Sequence, residues 1–236
     1  AIGLQNVGIE RFVTEKVPHL REINTARIAN LCGSSLDDYV ALAARLAAIP
    51  EVDAAELNIS CPNVHKGCLE FGRVPESAAQ ITRAVREVFP KPLIVKLSPN
   101  VTDITEIARA VEGAGADALS VVNTFMGMAI DIKSRRPKLG NITGGLSGPA
   151  IKPIALRMVW QCAKVIRIPI IGQGGITTWQ DAAEFLIAGA SAICVGTANF
   201  VNPLAPMEIL QGLTTWLEEQ GCASVKDVVG TLQTGK

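Results

Sequence analysis

Two stretches decide the fold: Ile170-Ile171-Gly172-Gln173-Gly174-Gly175-Ile176, and, further along, Ala192-Ile193-Cys194-Val195-Gly196-Thr197. Each is a β-branched, strand-forming run that breaks directly into glycines, and a helix-forming segment lies between them. Two consecutive βα turns of this kind are how (β/α)8 barrels hold a ligand's phosphate on backbone N–H groups. A doubly wound dinucleotide-binding sheet would instead carry its Gly-x-Gly-x-x-Gly turn early, with an acidic residue on the next strand. Here the glycine turn comes late and that fingerprint does not fit. The expectation is an α/β protein of the TIM (β/α)8-barrel type.

Working back from these turns, short apolar strand candidates alternate with amphipathic helical stretches. The strands are expected at Arg27–Leu31, Ala54–Ile59, Leu93–Leu97, Ala118–Asn123, Ile168–Gly172 and Ala192–Gly196. The helices are expected at Leu36–Ala48, Glu76–Val88, Ile104–Glu112, Pro153–Val165, Trp179–Ala188 and Met207–Glu219. Ser35, Asp103 and Thr178 with Asp181 read as helix starts, and Gly113, Gly115 and Gly189 as helix ends. In the last helix Met207, Ile209, Leu210, Leu213 and Leu217 are expected to pack inward. A barrel needs eight strands and six are visible. If the glycine turns follow the last two, the first two precede Ala1, and residues 1–236 are a single barrel domain whose N-terminal part is absent. The lack of an initiating Met agrees with that expectation.

Composition narrows the class. The chain has 236 residues, 48% of them hydrophobic, enough for one large core. Lys plus Arg and Asp plus Glu are 22 each, so the charge balance suggests neither nucleic acid nor an anionic membrane surface as partner. No stretch reads as a membrane span or a signal peptide, and the expectation is a soluble cytoplasmic protein. The six cysteines, Cys32, Cys61, Cys68, Cys162, Cys194 and Cys222, form no Cys-x-x-Cys and no zinc-like spacing with His19 or His65. No metal is therefore expected in this chain, and most of the thiols are expected to be plain core residues.

Cys61 is set apart by its surroundings, Glu56-Leu57-Asn58-Ile59-Ser60-Cys61-Pro62-Asn63-Val64. A thiol and two amides at the end of an apolar strand suit a small, polar, planar ligand. Polar residues recur at the same ends of other strands: Asn30, Lys96 and Asn123-Thr124, where barrel active sites lie. Taken singly each has a bland alternative. An Asn is an ordinary turn former, a terminal Lys can snorkel to solvent, and a lone Cys packs. Together, a phosphate site, a Lys and several amides suit flavin mononucleotide, whose ring needs hydrogen bonds and a positive charge near its electron-rich edge. Cys61 then sits where a general base would take a proton from carbon. The loop from Phe125 to Ile142, with Lys133, Arg135, Arg136 and Lys138, reads as a solvated basic face, the alternatives being a guide for an anionic substrate or a docking surface for a partner.

The chain resembles the dihydroorotate dehydrogenases. The resemblance rests on an ordered set of motifs along essentially the whole chain: Ala1–Asn6, Ile28-Ala29-Asn30, Asn58–Asn63, Val95-Lys96-Leu97-Ser98-Pro99-Asn100, Val122-Asn123-Thr124, Thr143–Ala150, Gly172–Ile176 and Val195-Gly196-Thr197. It implies that Cys61 is the catalytic base of the soluble Cys-type class. Asn58, Asn63, Asn123 and Thr124, with the segment Ala1-Ile2-Gly3-Leu4, would hold dihydroorotate or orotate. Asn30, Asn58, Lys96, Val122 and Gly148 would line FMN, with Gly174, Gly175, Gly196 and Thr197 at its phosphate. The run Asn63–Gly67, followed by Phe71-Gly72, points to the NAD-linked subclass. This subclass implies a homodimer joined to an electron-transfer subunit carrying FAD and a 2Fe–2S cluster, a heterotetramer. The alternatives are a fumarate-linked enzyme of the family, another pyrimidine-reducing flavin barrel, or a non-catalytic remnant. Cys68 departs from the Gly usual at its position. The absent strands would supply a further Lys over the flavin, so the chain alone is expected to be unstable or inactive.

Overall fold

A computed structural model describes residues 5–60 and 71–235. Six parallel strands form the main sheet: β1 (Ile28–Leu31), β2 (Ala54–Asn58), β3 (Leu93–Lys96), β4 (Ala118–Val121), β9 (Ile170–Gln173) and β10 (Ala192–Cys194), paired in that order. Between β4 and β9 an arm carries four short strands, β5 (Phe125–Met128), β6 (Ile130–Asp131), β7 (Arg136–Pro137) and β8 (Thr143–Leu146), paired antiparallel as β5–β8 and β6–β7. Six helices, α1 (Leu36–Ala47), α2 (Pro75–Val88), α3 (Ile104–Gly113), α4 (Lys152–Ala163), α5 (Trp179–Ile187) and α6 (Ala205–Glu219), pack neighbour against neighbour along the outside of the sheet.

The helix boundaries follow from the expected chemistry. The Ser35 side chain accepts from the Asp38 N–H, that of Asp103 from Thr105, and Thr178 with Asp181 closes a full capping box. Gly115 and Gly189 have φ of +100° and +118°, so the chain turns back after α3 and α5 at residues without a Cβ penalty.

Each main strand divides its side chains by period two. Leu57, Val95 and Leu119 face the helices and are fully buried in one hydrophobic core with Tyr39, Phe89 and Phe185. Each contributes roughly 1.5–3 kcal/mol of transfer free energy. On the opposite face the in-register residues Asn30 and Glu56, Lys96 and Ser120, Gln173 and Cys194 point into the concave side. The sheet curls, because residues of both edge strands line one groove of about 670 Å³: Ile28 and Asn30 of β1, and Ala192 and Cys194 of β10.

Several expectations need correction. The segment after β4 is not a plain loop but two small antiparallel ribbons, with the basic residues exposed at the far end as expected. Residues 8–20, outside the expected helices, form a helical run. On α6, Ile209 and Leu213 are buried, but Met207 and Leu210 are 64% and 58% exposed, so the inward set is smaller than its periodicity suggested. Of the cysteines, Cys162 is core, its thiol pushed up to about 12 by burial, whereas Cys32 and Cys222 are half-buried and Cys194 is exposed. Among the described residues no helix is long and apolar enough to cross a membrane.

Candidate active site

The C-terminal ends of β3, β4, β9 and β10 surround a cavity of about 130 Å³. Lys96, Val122, Asn123, Thr124, Gly148, Gly174, Gly175, Gly196 and Thr197 all line it, so nine of the expected ligand residues converge on one space from distant parts of the chain. Among the described residues the backbone N–H groups of Gly174, Gly175, Gly196 and Thr197 take no hydrogen bond within the protein. Such N–H groups on adjacent turns are suited to an anion's oxygens.

The glycines are required here for space. A Cβ on Gly175 (φ +79°) would lie 2.8 Å from the Lys152 backbone nitrogen and 2.9 Å from the Gly148 carbonyl oxygen. The turn is braced from below by Asp181. Its carboxylate accepts from the Thr177 N–H and hydroxyl, from the Thr178 N–H and from the Lys152 ammonium at 2.7 Å. Burial works against its charge, but the Lys152 ammonium and the Thr177 and Thr178 donors outweigh that and hold the carboxyl well below the usual range.

On the concave face a continuous chain of side-chain hydrogen bonds crosses four strand ends. Lys96 Nζ and Asn30 Nδ2 both donate to Glu56 Oε1, at 3.2 and 2.6 Å. Asn58 Nδ2 donates to Asn30 Oδ1 at 3.3 Å, the Ser60 hydroxyl to Asn58 Oδ1 at 3.1 Å, and Asn123 Nδ2 to the Ser60 hydroxyl at 2.9 Å. The Tyr39 hydroxyl donates to the Asn58 carbonyl at 2.7 Å from the core side, which fixes the strand end itself. Asn100 donates to the Thr124 carbonyl and accepts from the Met126 N–H, so the Lys96–Asn100 segment also sets the entry to the arm.

The structure therefore brings Asn30, Asn58, Lys96 and Asn123 into one network, and Lys96 does not snorkel to solvent. Cys61, Asn63 and the segment Ala1-Ile2-Gly3-Leu4 lie outside the described residues, as does Cys68. Sequence reasoning passed over Glu56, Ser60, Gln173 and Cys194. The period-two pattern could have found Glu56, which alternates with the core residues Ala55 and Leu57 on a strand already identified. Ser60 is fully buried, with the cavity-lining Asn123 as its donor. The Cys194 thiol borders both the cavity and the larger groove. It is pushed up by desolvation first, with Lys96 pulling it down and Glu56 adding to the rise.

Lys96 and the unpaired N–H groups around a cradle that a single Cβ would fill fit a phosphorylated, electron-accepting planar group such as FMN. The donors would meet phosphate, and the cation and amides would meet the ring.

The family model described as dihydroorotate dehydrogenase matches residues 1–217. The dihydroorotate dehydrogenase B (NAD(+)) catalytic subunit of Trichlorobacter lovleyi is 60% identical over 233 residues, which cover 99% of this chain and 77% of that protein. The corresponding subunit of Pelobacter propionicus is 59% identical over the same shares. That of Bacteroides thetaiotaomicron is 52% identical, again over 99% of this chain and 77% of its own length.

Proposed function

The chain belongs to the dihydroorotate dehydrogenase family, and from that premise we propose that it is the catalytic subunit of an NAD-linked enzyme oxidising (S)-dihydroorotate to orotate in de novo pyrimidine biosynthesis. The observation that carries the reading is the convergence of Lys96, Val122, Gly148, Gly174, Gly175, Gly196 and Thr197 on one cavity. FMN, when bound there, supplies the acceptor for the hydride that leaves the substrate carbon.

The residues divide the remaining tasks. Gly174, Gly175, Gly196 and Thr197 hold the phosphate on backbone N–H groups, and Lys96, Asn30, Asn58, Val122 and Gly148 hold the ring. Asn58, Asn63, Asn123 and Thr124, with Ala1-Ile2-Gly3-Leu4, orient the carboxylate-bearing pyrimidine so that one carbon faces Cys61. The Cys61 thiolate takes a proton from that carbon as the neighbouring carbon gives up hydride, and the C=C bond of orotate forms. The Asn123–Ser60–Asn58 chain supports this role, because it ties two substrate-binding amides to the residue next to Cys61.

In the same reading electrons pass on to NAD through a partner subunit carrying FAD and a 2Fe–2S cluster, in a heterotetramer built on a homodimer in the cytoplasm. Residues 1–236 form a single flavin-binding domain. Its six curled strands are six of the eight of a (β/α)8 barrel, the other two lying between β10 and β1. The edges of β1 and β10, unpaired among the described residues and facing one groove, support that closure.

The test is an anaerobic visible spectrum of the purified protein before and after addition of dihydroorotate. The expected result is a flavin band that bleaches on addition. A flavin band that persists with dihydroorotate, on protein competent to be reduced by dithionite, would overturn the substrate assignment.

A further inference from the structure

The six strands of the main sheet contain one acidic and one basic side chain, Glu56 and Lys96. Both point to the concave face, both are mostly buried, and they are paired at 3.2 Å. A buried pair of this kind adds little to stability over an apolar pair of the same volume. Its presence where every other strand acid has been avoided therefore asks for another role.

Resting on the flavin reading above, we propose that Glu56 is a positioning residue for that site: its carboxylate holds Lys96 and Asn30 in place and sets the net charge that the flavin ring meets. The geometry supports both halves. Glu56 Oε1 accepts from Asn30 Nδ2 at 2.6 Å and from Lys96 Nζ at 3.2 Å, so one oxygen ties β1, β2 and β3 together beside the cavity-lining Lys96. Asn30 passes the constraint to Asn58 and, through Ser60, to Asn123. The orientation of the amides is thereby coupled to the ammonium. Electrostatically, a flavin becomes more negative on reduction, so an uncompensated Lys96 would favour the reduced form. Glu56 offsets that cation and keeps the flavin able to give its electrons onward.

The experiment is a dye-equilibrated anaerobic titration of the flavin reduction potential in the wild-type protein, Glu56→Asp and Glu56→Gln. Glu56→Gln removes the charge and should shift the reduced-to-oxidised ratio at fixed poise at least tenfold toward reduced, ~30 mV for a two-electron couple. Glu56→Asp keeps the charge but withdraws it by one methylene, and should shift in the same direction by less. It carries the test alone if Glu56→Gln loses its flavin. Equal potentials in the variants that retain flavin, or a shift toward the oxidised form, would overturn the proposal while leaving a flavin that dihydroorotate bleaches in the wild type. A wild-type protein that binds no FMN would remove the flavin reading, and this inference with it.

Discussion

Ser60 illustrates how much of this site rests on single buried polar atoms. Its hydroxyl donates to Asn58 Oδ1 and accepts from Asn123 Nδ2 while being fully shielded from solvent. Ser60→Ala leaves Asn123 Nδ2 without its acceptor, while Asn58 Oδ1 keeps the Ser60 N–H, a loss of about 1–3 kcal/mol by the usual penalty. We expect KM for dihydroorotate to rise roughly 10- to 100-fold on that basis, with the flavin spectrum unchanged; steady-state kinetics on flavin-replete protein checks it. Cys61→Ala should instead lower the rate of flavin bleaching by dihydroorotate by about 10²–10⁴-fold, the usual weight of a general base, at unaltered flavin content. A base works in its deprotonated form and an unperturbed thiol titrates near ~8.5, so wild-type bleaching should accelerate as pH rises through that range. A stopped-flow pH series that is flat from neutral to alkaline pH would remove Cys61 from that role.

At the scale of an element, the β9–α5 turn is the most constrained piece. Gly175 packs against backbone on two sides, and Asp181 both caps α5 and braces the turn through Thr177, Thr178 and Lys152. Gly175→Ala forces a methyl against Lys152 and Gly148 in a conformation L-residues avoid. It should weaken FMN retention more than it lowers secondary structure, which flavin fluorescence and circular dichroism read separately. Asp181→Asn should lower unfolding free energy by about 1–3 kcal/mol at neutral pH. The folded Asp181 carboxyl titrates below its unperturbed value of 3.8, so its contribution is present above that pH and is lost as the pH falls below it. Denaturant melts at neutral pH and near pH 3 should show the wild-type advantage over Asp181→Asn shrinking at acid pH; a constant gap would contradict the linkage. This turn was readable from the residues alone, because Gly-Gly after a β-branched run and Thr-x-x-Asp before an apolar one are each local devices. The arm was not. Its strands run from two to four residues, and Met, Gly and an Arg-Pro step gave no sustained alternation, so only pairing between distant residues defines them.

For the molecule as a whole, the open side of the sheet dominates. Ile28, Ile94, Ile171, Ile209, Leu210 and Leu213 line the groove between the two edges, and Phe200, Val201 and Leu204 are exposed in the segment leading into α6. Apolar surface on that scale, next to strand edges unpaired among the described residues, is a recognised association hazard. A chain of residues 1–236 alone should therefore bind a hydrophobic dye strongly and self-associate with rising concentration. Dye-silent, monodisperse behaviour in light scattering would show that the groove is covered within this chain.

The residues by themselves determined the order of strands and helices, an α/β fold on a parallel sheet, and the strand-end amides, Lys96 and the glycine turns. All of these are local signals: hydrophobic period, caps, and glycines where backbone must approach a ligand. Only the tertiary structure decided that Lys96 pairs with Glu56, that Ser60 joins Asn58 to Asn123, and that Met207, Leu210 and Cys194 lie open while Ile209 and Leu213 are core. Periodicity says which side chains share a face. What covers that face depends on how the sheet curls, and curvature is a property of many strands at once rather than of any one of them.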